Sequence, residues 1–194
     1  MKKEASIRPI LLMALLVMVA TLTAPRALFG SQAAPDNRGL KEFSDRIEAY
    51  EKLREKAEKS LPKLKKKSEQ EVIAAQQQAL VTKIRELRST ARRGDIFTPA
   101  ATEAIARLIK AVFAGPDAHG VQNTIQTGEP LRGFEVQVNQ RYPDGLPFTT
   151  VPPTLLRKLP SLPDEVAYRI LGSALLLVDR KANLIVDFMP NAIP

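Results

Sequence analysis

The sequence predicts an α+β protein in which long amphipathic N-terminal helices precede a small, helix-covered antiparallel β-meander. Three observations carry this expectation. Between residues 40 and 93 apolar side chains recur at steps of three and four with little turn chemistry among them. The same period returns after Thr98-Pro99, and from residue 166 to 189 three short apolar segments are divided by turn residues alone. The expected organisation is a signal peptide over 1–33, a basic helical arm over 34–94, and a compact α+β unit over 95–194 that ends in the meander.

The N-terminus places Lys2, Lys3 and Arg8 before an uncharged apolar run from Ile10 to Ala24, with Ser31-Gln32-Ala33 as a small-residue site beyond it. This is the layout of a secretory signal peptide cleaved after Ala33, which puts the mature chain in the periplasm or outside the cell. The apolar run is shorter than the roughly 20 residues of a spanning helix, and Pro9 and Pro25 bracket it, so an uncleaved N-terminal anchor is the alternative. No cysteine stands at the cleavage site to carry a lipid.

In the arm, Leu40, Phe43, Ile47, Tyr50, Leu53, Ala57, Leu61 and Leu64 form one helical stripe, with Asp36 or Asn37 as its cap. Glu42 with Arg46, Glu48 with Lys52 and Glu55 with Lys59 are acid-to-base pairs at i,i+4, which mark a solvated opposite face. Pro62 either kinks a single rod or opens a second helix, which runs to about Arg92 and stops at Gly94. Its apolar positions are Ile73, Leu80, Ile84, Leu87 and Ala91, and the stretch around its three consecutive glutamines is a weak seam for the alternative of a coiled coil.

Thr98 as cap and Pro99 at the first position start a third helix with Ile105, Leu108, Ile109, Val112 and Phe113 inward, closed by Gly115-Pro116. Residues 117–130 are polar and turn-rich and read as a loop. Phe134, Val136 and Val138 alternate with polar residues as in a strand with one wet face. Six prolines between 142 and 163 forbid a central strand there and leave room for a short helix near 153–158. Strands over 166–171, 174–179 and 184–189 then follow. A two-residue turn at Gly172-Ser173 sets Tyr168 opposite Leu177, and a four-residue loop sets Val186 opposite Leu177 and Phe188 opposite Leu175. That register places Arg169, Leu176 and Asp187 in one row and predicts an Arg169–Asp187 ion pair of structural purpose.

The blocks GDIFTP at 94–99, YPDGLPFTTVPPTLL at 142–156 and LPSLPDEVAYRILGSALLLVDRKANLIVDFMPNAIP at 159–194 resemble a family of uncharacterised exported bacterial proteins, a likeness that covers most of the mature chain and implies no activity. Residues 168–187 are also similar in strand pattern to the small terminal meander of some periplasmic stress and metal-homeostasis proteins. That resemblance implies no ligand residue.

Composition narrows the chemistry. With no cysteine and one histidine, thiolate zinc sites, cysteine nucleophiles and Cys/His metal clusters are excluded. His119 in its turn-like stretch has no second histidine or cysteine beside it, and neither a phosphate loop nor a nucleophile elbow occurs. No catalytic, cofactor-binding or metal residue is therefore assigned, and no cofactor is expected. Asp144, Asp164, Glu165, Asp179 and Asp187 form no recognised pair, and Asp179 begins a turn. Residues 41–93 carry a net charge of +6, whereas residues 94–194 carry −1.

The basic character thus belongs to the arm, where Lys63, Lys65, Lys66 and Lys67 cluster. Nucleic acid is a poor match for an exported chain without an aromatic stacking set. Anionic envelope polymers or a membrane surface fit better. The expected role is a non-enzymatic envelope protein, a structural or protein-interaction module, whose arm docks another protein or a second copy through Phe43, Ile47 and Tyr50 with the lysine cluster. The alternative is a small-ligand site, or a carboxylate-based enzyme site, at the polar edge of the C-terminal sheet.

Overall fold

A computed structural model describes residues 35–63, 69–126, 134–142 and 150–194. The expected signal peptide and Lys65, Lys66 and Lys67 lie outside the described residues. The elements are helices α1 (Pro35–Lys59), α2 (Gln70–Leu87), α3 (Pro99–Phe113), α4 (Ala118–Gln126) and α5 (Pro153–Leu156), followed by strands β1 (Val166–Leu171), β2 (Ala174–Asp179) and β3 (Leu184–Met189). The fold is α+β, with the helices first and a three-stranded antiparallel sheet of order β1-β2-β3 at the end.

Helix α1 begins at Pro35, so Asp36 and Asn37 stand inside its first turn and not at the cap position expected of them. The surface pairs Glu48–Lys52 and Glu55–Lys59 form on its wet face. Helix α1 ends at Lys59, before Pro62, and α2 begins at Gln70, eight residues later than the proline suggested. The result is an antiparallel hairpin, because Gln76 Nε2 donates to the Pro62 carbonyl at 2.7 Å while Arg88 stacks 5.1 Å over the Tyr50 ring. On its other side α1 crosses α3 so closely that a Cβ at Gly39 would collide with the carbonyl oxygen of Ala100.

Helix α3 starts as its sequence dictates, with the Thr98 hydroxyl accepting from the Ala101 amide at 3.3 Å and Pro99 in the first turn. Ala101, Ile105, Ile109 and Val112 are buried against α1 and the sheet. Residues 118–126 are helical and not the expected loop; Val121 and Ile125, one turn apart, turn inward and anchor the segment.

All three expected strands are present with their expected bounds, and β1 pairs β2 in the expected register, Tyr168 opposite Leu177 and Arg169 opposite Leu176. Between β2 and β3 the register breaks. Leu177 faces Asp187 and Val178 faces Ile185, leaving Val186 as the extra residue of a bulge. Beyond the bulge Met189 lies opposite Leu175 and Phe188 opposite Leu176, one position away from the bulge-free alignment.

Both faces of the sheet are covered. The helices bury Tyr168, Ile170, Leu175, Leu177 and Val186 on one side, where Phe43 stacks with Tyr168 and tilts against Phe97. Leu176, Val178 and Ile185 are covered on the other side by Tyr142, with Phe134 and Val136 beside it. The strand expected at 134–138 is not formed. Asn139 takes a left-handed conformation (φ 63°) that turns the chain, and only Arg141 makes a β-bridge, to Leu184. The segment is nevertheless tied to the β3 edge: Asn139 and Tyr142 amides donate to the Ile185 and Asn183 carbonyls at 2.9 Å, and the Ile185 amide donates to Gln140 at 2.8 Å.

Candidate functional site

The stripe expected to meet a partner is core. Phe43 is 0% exposed, Ile47 and Tyr50 are each 4% exposed, and all three pack into the cluster shared by α3 and the sheet. A stripe wide enough to dock a partner is equally wide enough to cover the apolar face of a three-stranded sheet, and here it does the latter. Lys63 is exposed at the outer end of the hairpin.

The expected Arg169–Asp187 pair is absent, and the bulge is the reason. It rotates Asp187 onto the helix side with Leu177, while Arg169 stays on the opposite face with Leu176 and Phe188. The Asp187 carboxylate instead accepts four backbone N–H groups. Oδ2 takes Ile96 at 2.8 Å and Phe97 at 2.9 Å, and Oδ1 takes Phe188 at 2.8 Å and Gly94 at 3.0 Å. The turn between α2 and α3 is thereby clamped to β3.

Asp179 does begin a turn, as its position suggested: Oδ1 accepts the Ala182 amide at 2.7 Å and the Lys181 amide at 3.0 Å. Its second oxygen reaches across to α1, taking the Tyr50 hydroxyl at 2.9 Å and Arg54 Nε at 2.8 Å. Arg54 continues to Glu58 at 2.9 Å, and Glu58 also pairs with Lys181. Burial, followed by the Asp179 charge, holds the Tyr50 hydroxyl well above its ordinary pKa, whereas the Lys181 ammonium draws the Glu58 carboxyl below its own. Both sheet carboxylates are thus saturated by structural donors.

Two features are not consumed by the core. The first is the outer end of the hairpin. Every residue from Glu69 to Ala75 is exposed, Val72 and Ile73 at 49% each, and α2 becomes buried only from Leu80 onward. Lys56, Lys59 and Lys63 are exposed near the end of the neighbouring α1.

The second feature is a cavity of about 470 Å³ on the β1 side of the sheet, between Val166–Arg169 and the proline-rich segment 150–163. Three arginines line it, Arg157, Arg169 and Arg180, against a single carboxylate residue, Asp164. Its position is the polar sheet edge where a small-ligand or carboxylate site was the alternative expectation, but the charges that gather there are cationic. Burial and the nearby Arg180 charge lower the pKa of the Arg169 guanidinium.

His119 is exposed in α4, and among the described residues no three His, Asp or Glu side chains are grouped to hold a metal ion. Compared with known proteins, the chain matches no family model, no curated protein and no solved structure. Sequence reasoning did not single out Arg54 or the three cavity arginines, which are 12 and 11 residues apart and carry no local motif.

Proposed function

We propose that this protein is exported and acts without catalysis in the cell envelope, as an interaction module that binds an anionic partner protein through the outer end of its helical hairpin. The carrying observation is the exposed apolar pair Val72 and Ile73 on a helix end left uncovered by the core, with Lys56 and Lys63 exposed near the end of the neighbouring α1. Exposed β-branched side chains on a segment of net positive charge suit a surface with apolar contacts and acidic groups. The net charge of +6 over residues 41–93 supports the same reading, and the layout of residues 1–33 supports export.

The test is site-specific photocrosslinking in intact cells from position 72 or 73, with position 43 as the buried control. One discrete adduct from 72 and 73, none from 43, and its loss when Lys56 and Lys63 are replaced by Glu are the expected results. An adduct with a second copy of the chain would convert the reading to self-association. A folded, exported protein that yields no adduct at either position refutes it, and a charge-insensitive adduct removes the anionic character of the partner.

A further inference from the structure

The cavity beside β1 is independent of the hairpin end and has the construction of a ligand site. Its walls are fixed: the Tyr168 hydroxyl donates to the Pro160 carbonyl at 3.0 Å, and the Val166 amide donates to the Pro163 carbonyl at 3.0 Å, pinning the proline-rich segment to β1. Pro160 and Pro163 stiffen that wall further, so little order remains to be gained on binding. A volume of about 470 Å³ lies within the range of small-molecule sites.

The lining has two chemistries. Arg157, Arg169 and Arg180 contribute three positive charges against one from Asp164, although the compact half of the chain as a whole is net −1. The Arg180 side chain is steadied by the Asp164 backbone carbonyl at 3.2 Å, and that of Arg169 by the Tyr168 carbonyl at 3.0 Å. For Arg180 the acceptor is a neutral carbonyl, which orients the guanidinium without cancelling its charge. Guanidinium groups present planar forks that match carboxylate and phosphate oxygens. Beside them Leu156 is 49% exposed, with Leu162 half-buried in the same lining. Apolar and cationic groups thus share one rigid lining, and a ligand that carries both chemistries matches it.

The geometry points to a binding site for a small amphiphilic anion, whose carboxylate or phosphate group is held by Arg157, Arg169 and Arg180 and whose short apolar body lies on Leu156 and Leu162. The shared chemistry is a terminal anion on a hydrocarbon chain.

The probes are octanoate and hexyl phosphate, with inorganic phosphate and hexyltrimethylammonium as controls, read by calorimetry and by the arginine Nε–H resonances of the full chain. Saturable binding of octanoate or hexyl phosphate with shifts confined to the cavity arginines is expected, and which binds more tightly separates a carboxylate from a phosphate ligand. Arg157→Gln and Arg180→Gln alter exposed side chains and should each weaken binding about tenfold, the equivalent of one lost charge-assisted hydrogen bond. Unchanged denaturation midpoints would exclude misfolding as the cause. Leu156→Ser should weaken the amphiphiles and leave inorganic phosphate unaffected. Replacing Val72 and Ile73 by Ser should change nothing, which separates this site from the hairpin surface. Equal binding of the cation, insensitivity to both arginine substitutions, or absence of binding by either amphiphile would overturn the assignment.

Discussion

Replacing Asp187 by Asn tests the bulged register and the clamp together. The side chain keeps its size, yet an amide has one acceptor oxygen where the carboxylate has two, and its NH2 group must face one pair of backbone donors. Whichever way it turns, two bonds of 2.8–3.0 Å are lost and two N–H groups are left facing a third donor. Hydrogen bonds to a charged acceptor contribute about 1.5–3 kcal/mol each, so the expected loss is about 3–6 kcal/mol. That is a large share of the roughly 5–15 kcal/mol of a whole domain. The assay is the denaturant midpoint by circular dichroism, supported in the parent protein by slow hydrogen exchange at the Ile96 and Phe97 amides, which no helix or strand protects. A loss below about 1 kcal/mol, the net value of an ordinary hydrogen bond, would refute the four-donor clamp. A double-mutant cycle with Arg169→Gln should give a coupling within about 0.5 kcal/mol of zero, because the two side chains lie on opposite faces. Strong coupling would restore the unbulged register and the ion pair.

Asp179→Ala should cost about 3–5 kcal/mol, since it strips a buried partner from Arg54, whereas Tyr50→Phe removes a single hydrogen bond and should cost about 1.5–3 kcal/mol; equal midpoints for the two variants would place the stabilisation elsewhere. Gly39→Ala should destabilise by about 1–3 kcal/mol despite the better helix propensity of alanine, because α1 and α3 cannot separate without loosening the core. A stabilised variant by thermal melting would contradict that close approach. Burial holds all three tyrosine hydroxyls, Tyr50, Tyr142 and Tyr168, above their ordinary pKa of 10. The native state therefore retains protons that the unfolded chain releases. Stability from these groups is intact below pH 10 and falls as the pH rises beyond it. Tyrosinate absorbance should appear only together with loss of the circular dichroism signal, and its appearance in a folded protein would contradict the burial.

What the sequence disclosed followed local physics. Thr98-Pro99 marked a helix start, Gly172-Ser173 marked a two-residue hairpin, and the β1–β2 register came from that turn length alone. The failures share a cause, namely a backbone event without a local signature. The bulge at Val186 occurs in an apolar run with no glycine to announce it, and the single-residue shift moved Asp187 and Phe188 to the opposite faces. Asn139 broke an alternating pattern by adopting a left-handed turn. Helix α4 hid behind Gly120 and a polar composition, since two inward residues are too few to register as a stripe. The cavity arginines were invisible for a different reason: three distant positions converge only after β1, the proline-rich segment and the β2–β3 turn have been assembled.

The two buried carboxylates also decide where an interaction surface can lie. Apolar contacts hold α1 to the sheet without directional preference, whereas Asp179 fixes its position through two bonds, to Tyr50 and to Arg54 one turn further along. Lifting α1 away would leave the Asp179 charge without those partners and expose Phe43 and Ile47 together, so undocking requires breaking the core, not swinging an arm. Apolar side chains of the two helices are therefore exposed past this lock and not along it. Glu58 and Lys181 mark its last rung, and the start of α2 is exposed. Val72 and Ile73 stand on that overhang, two turns before Leu80 re-enters the core. The lock that buries Phe43, Ile47 and Tyr50 leaves Val72 and Ile73 outside the core at the hairpin end.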